Sequence, residues 1–77
     1  MTQRDKALLE GYANTAALVN DPMSSLEARK DATRVILKLS MQSYLALGDP
    51  YFMGQFLAAA DALGLGFMAS AVYSAHN

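Results

Sequence analysis

Apolar residues recur along this chain at spacings of three and four, the rhythm of helices. Leu8, Tyr12, Ala16 and Val19 define one stripe on a helix over residues 3–19. Thr2 is its expected N-cap, with Asp5 in the first turn, where the helix dipole favours a carboxylate. Gly11 weakens this helix by about 1 kcal/mol relative to alanine, and Asn20-Asp21-Pro22 ends it. A second helix over 24–47 opens with a capping box. Ser24 accepts from the backbone N–H of Glu27, and Glu27 reaches back to Ser24. Gly48 suits the left-handed position past its end. Asp49 then caps a third helix over 50–74, and Pro50 takes its first position. Gly64-Leu65-Gly66 is the weak point of that helix, able to kink or split it. No stretch alternates with period two and no Asn-Gly or Asp-Gly turn occurs, so strands are not expected. The pattern predicts an all-α fold: a three-helix antiparallel bundle forming one domain over 1–77, which associates as a helical homodimer for the reasons that follow.

Two of the helices are apolar on more than one side. On the third, Phe52, Phe56, Ala59, Leu63 and Phe67 form a core stripe. The opposite side, which should be polar in a monomer, reads Leu57, Asp61, Leu65, Met68 and Val72. On the second helix, Ala28, Ala32, Val35, Ile36, Leu39 and Ala46 form the core side. Its other side begins charged (Glu27, Lys30, Asp31, Arg34, Lys38) and ends apolar, with Leu37, Met41, Tyr44 and Leu45. A row of small residues four apart, Gly54, Ala58, Ala62, Gly66, Ser70 and Ser74, either lets helices approach closely or is a solvated edge.

Composition sharpens this picture. The chain has 77 residues, 53% of them hydrophobic and 17% charged, against a usual charged share of about 25%. A domain this small hides only about 62% of its unfolded surface, so it should be richer in charge than average. Eleven of the thirteen charged residues lie between Arg4 and Lys38, leaving Asp49 and Asp61 for the remaining 39 positions. Such a half-chain is core, interface or membrane. Tyr51 to Ala75 is long enough to span a bilayer. However, Asp61 near its middle costs about 3 kcal/mol and neither end carries Lys or Arg, so a membrane span is not expected.

The expected self-association interface is Leu37, Met41, Tyr44, Leu45, Leu57, Asp61, Leu65, Met68 and Val72. Its eight apolar members would expose about 500 Å², the upper range for a monomer's largest patch. Burying that area is worth at most about 12 kcal/mol per chain before the costs of association, and a twofold dimer is the commonest solution. Within this patch Asp61 is read either as half of an interchain ion pair with Lys30, Arg34 or Lys38 of a partner, or as a rim carboxylate in water.

Chemistry finds little purchase. No second acid, histidine or nucleophile is tied to Asp61 by any pattern, so no catalytic residue is assigned and the chain is not expected to be an enzyme. His76 is alone and there is no cysteine, so neither a metal site nor a cofactor is expected; His76 is read as a disordered tail. The four tyrosines read as core-rim aromatics, and Met41, Met53 and Met68 as gap fillers or an adaptable surface. Net charge is -1 and the pI about 5.6, giving no general pull toward nucleic acid. Lys30, Arg34 and Lys38 line one helix edge, but Glu27 and Asp31 precede Lys30 and Arg34 by three residues, as surface ion pairs do. That edge is the expected surface for a larger protein partner. The N-terminus enters an amphipathic pattern and not a signal-peptide core, which points to the cytoplasm. The expected function is a small non-catalytic protein that self-associates and binds a larger protein to regulate or inhibit it. Its size is that of regulators carried by phages and mobile elements, an analogy of size alone. The alternatives are a subunit of a higher assembly, or a protein sequestering small anionic ligands or nucleotides.

Overall fold

The computed structural model describes residues 2–76 and, within them, the side chains of residues 2–75; the backbone of His76, expected in a disordered tail, is instead helical. The chain forms four helices, α1 (Gln3–Val19), α2 (Leu26–Leu47), α3 (Pro50–Ala62) and α4 (Gly66–His76). No strand occurs among the described residues.

The helix ends follow from local chemistry. Thr2 Oγ1 accepts from the Asp5 N–H at 3.1 Å, and Asp49 Oδ1 accepts from the Tyr51 N–H at 3.0 Å, with Pro50 opening α3. The start of α2 differs from the capping box expected at Ser24. Asp21 draws Ser24 into a turn, accepting from the Met23 N–H and from the Ser24 hydroxyl, so Ser25 becomes the cap and accepts from the Ala28 N–H. Gly48, at φ 69°, closes α2 by donating to Tyr44 O.

The expected third helix is two helices. Gly64 adopts φ 75° and donates to Asp61 O, while Leu65 donates to Ala60 O. This pair of bonds is a Schellman motif, which satisfies the last carbonyls of α3 and turns the chain back. The break also answers the membrane question. Neither the 13-residue α3 nor the 11-residue α4 reaches the roughly 20 residues a bilayer requires, and no described helix is long and apolar enough to cross a membrane.

Short connections make successive helices antiparallel, so that Leu8 lies by Gln42 and Val19 by Leu26. α2 is central. α1 and α3 both pack on it without close backbone approach to each other, and α4 makes its close backbone approaches to α3 alone. The result is not a closed bundle. The Cα trace measures 36 × 33 × 13 Å, broad and shallow for four helices.

A small core lies where α1 and α3 converge over α2. Tyr12, Ile36, Phe52 and Ala59 are buried there, with Leu9, Val19, Leu39 and Leu47 packed around them. The Tyr12 ring meets Phe52 edge-to-face, with centroids 5.3 Å apart, and Tyr51 at 6.3 Å. Ser40 and Ser43 are fully buried on α2, on the side expected to carry larger apolar groups. Ser40 donates to Leu37 O, whereas Ser43 Oγ has no partner. Ala28, Val35 and Ala46, expected in the core, are exposed, because α1 and α3 cover a narrower arc of α2 than a closed bundle would.

In urea unfolding, Tyr12→Ala should lower stability by about 3 kcal/mol or more by emptying this core. Ser43→Ala should raise it by up to about 1 kcal/mol, since the hydroxyl it removes is buried without a partner.

Candidate association surface

An open layer leaves apolar side chains without neighbours. The chain exposes 5171 Å². A compact monomer of 8.3 kDa would expose about 4,600 Å², roughly 600 Å² less. Among the exposed large apolar residues are Met23 (90% exposed) and Leu26 near the α1–α2 loop, Leu45 and Tyr51 at the opposite end, and Leu65, Phe67 and Met68 at the start of α4.

The structure divides the nine residues expected to form one interface. Leu37 and Tyr44 pack against the core, and Met41 is half-buried. Leu45 is exposed but lies beside Arg4, Asp5 and Leu8, at the other edge of α2 from the α3–α4 hairpin. Leu57 meets Tyr44 and Tyr73 around a surface depression of about 350 Å³. Val72 is half-buried on α4, while Leu65 and Met68 are exposed, Met68 at 66%. Asp61 is exposed as well. Its Oδ1 lies 3.5 Å from where a β-carbon on Gly66 would stand, beside the N-terminus of α4, where the helix dipole favours negative charge.

Phe67 corrects the core stripe drawn along a single third helix. It is 92% exposed. The turn at Gly64 reverses the chain, so residues beyond it no longer continue the face that carries Phe52, Phe56 and Ala59. α4 buries Ala69 against α3 and leaves Phe67, Met68, Ala71 and Ala75 outside.

A second apolar feature was not legible as a site. Toward the C-terminal end of α1 the aromatic rings give way to alanines, and alanine is too short to close the gap between α1 and α3. A groove of about 220 Å³ remains, lined by Ala16, Val19, Ile36, Ala58, Ala59 and Ala62 together with Tyr12 and the polar Asn20, Thr33 and Gln55. Ala58 and Ala62 belong to the row of small residues. That row is exposed along α3, and the break between α3 and α4 interrupts it.

The basic edge is divided too. Arg34 pairs with Asp31 one turn earlier, an exposed pair worth little to stability. Lys38 is exposed on the same side of α2. Lys30 lies with Arg29 at a cavity of about 230 Å³ between Val19 and Leu63, and Arg29 Nε is buried there without a hydrogen-bond partner. No group of three or more potential metal ligands occurs among the described residues. Comparison with protein-family models, curated proteins and solved structures gives no match.

The ionisation of Tyr12 is clearly displaced. Burial, reinforced by hydrogen bonding and charge repulsion from Tyr51, pushes it from 10.0 up to about 12. The folded chain therefore holds this proton more tightly than the unfolded chain. Its contribution to stability is intact below pH 10 and is lost as pH rises toward 12. Urea midpoints measured across that window should fall with pH, and should fall less steeply in Tyr12→Phe.

Proposed function

We propose that this chain is a non-catalytic helical binding protein that associates with a second copy of itself and docks on a larger protein to regulate or inhibit it. The observation that carries this reading is the surplus of exposed surface together with its chemistry. About 600 Å² beyond a compact monomer's share approaches the roughly 800 Å² that each partner contributes to a standard interface. Leu65, Phe67 and Met68 are among the exposed large apolar residues, and no Asp, Glu, Lys or Arg follows Asp61. Uncharged large side chains in water are what association removes, at about 25 cal/mol per Å² before its own costs.

Leu65, Met68, Leu57 and Val72 of the α3–α4 hairpin are the self-association residues in this reading, with Asp61 at their rim. Met41, Tyr44, Leu37 and Leu45 of α2 lie behind or away from that surface. Of the exposed Lys30, Arg34 and Lys38, Arg34 and Lys38 are offered to the larger partner, here an acidic surface, while Lys30 stands at the cavity beside Val19 and Leu63.

Light scattering at micromolar concentration should give twice the 8.3 kDa chain mass. Met68→Asp or Leu65→Asp should shift it to a monomer, because each would bury an unpaired carboxylate. A larger defined mass would favour the assembly-subunit reading, and a strict monomer of the unaltered chain would remove self-association.

A further inference from the structure

The observations carry one step beyond self-association, and the step rests on that reading. We propose that α4 of each chain docks on the other chain, with Phe67 entering the alanine-lined groove between α1 and α3 of the second copy. Phe67 is the most exposed of the large apolar residues in the described chain, and the groove is a mostly apolar concavity of matching scale, with Asn20, Thr33 and Gln55 on its wall. Its volume of about 220 Å³ exceeds the roughly 150 Å³ apolar cavity that accommodates benzene. Alanine walls leave the depth, and Ile36 and Tyr12 supply apolar lining and an aromatic ring for edge-to-face contact.

Phe67 is not placed to fill its own groove. The groove opens on the side of α3 that bears Ala58 and Ala62, whereas α4 folds back on the side that bears Met53 and Leu57, where Tyr73 joins them. A side chain that fills the groove is therefore to be sought outside the chain.

Charge narrows the choice of occupant. The groove is lined entirely by uncharged residues, and α4 carries no Asp, Glu, Lys or Arg. Seating one on the other strands no ionised group away from water, which would otherwise oppose docking. Area agrees as well: two such contacts related by a twofold axis would draw on the surplus surface of both chains, on the scale of a specific interface. This is an exchange of knob and hole, each chain giving one of each.

The sequence contains no cysteine, so single thiols report the contact cleanly. Phe67→Cys and Ala58→Cys chains, mixed under mild oxidation, should form the mixed Phe67–Ala58 disulfide in clear excess over either homodimer. A second pair of variants guards against a fold effect. Phe67→Asp and Ala58→Lys should each weaken self-association at least about tenfold. Mixing them should restore pairs, because the Phe67 of one variant still meets the unaltered groove of the other and the two introduced charges, opposite in sign, face each other at the second contact. Circular dichroism of each variant checks that it remains helical. Preferential Phe67→Cys homodimers, or no restoration on mixing while the unaltered chain dimerises, would overturn this docking mode and leave self-association standing. A monomeric unaltered chain would overturn both.

Discussion

A hydrophobic core needs cover from two sides, and these helices supply little more than one layer. α2 is flanked by α1 and α3, and α3 by α4, but nothing is laid across the sheet of helices they make. Layered domains bury each apolar face against a second layer. Here the aromatic cluster at Tyr12 and Phe52 brings buried side chains from three helices together. Elsewhere the layer is open, and the exposed leucines, methionines and Phe67 follow from that openness.

Two features of the sequence produce the single layer. Alanines and buried serines fill positions where a closed bundle would carry leucine. Ser40 and Ser43 on α2, and Ala16, Ala59 and Ala62 around the groove, let helices come near but fill little volume. The Schellman turn at Gly64 then shortens α3 and folds α4 back along its outer side, so that α4 extends the layer instead of covering it. A surface short of charge and a core short of bulk are the same choice made at different positions of the chain.

Much of the architecture was legible in the residues. Thr2, Gly48 and Asp49-Pro50 mark helix ends by mechanisms that act within a few positions, and the structure places those ends where the sequence implies. Ser24 against Ser25 was not decidable, because either serine can cap, and the tie is broken by Asp21, which takes Ser24 into its own turn. Gly64 was visible as a weak point, but whether two nearby glycines bend or break a helix depends on the tertiary contacts available to α4. Once the helix breaks, the helical wheel drawn through it loses its phase, which is why Phe67 was read into the core. Leu37 and Tyr44 pack against the core although a wheel turns them outward, because a wheel gives the direction of a side chain and not which neighbour stands there. The alanine groove left no pattern to find, since it is made by what three separate helices lack.

The central claim is that the folded chain is stabilised by covering its open layer with another chain. The most direct measurement is the thermal unfolding midpoint as a function of protein concentration over two or three decades. Association coupled to folding makes that midpoint rise with concentration by mass action, and the account predicts a rise. A midpoint that does not move would mean that one copy holds its open layer in water unaided, and would contradict the account.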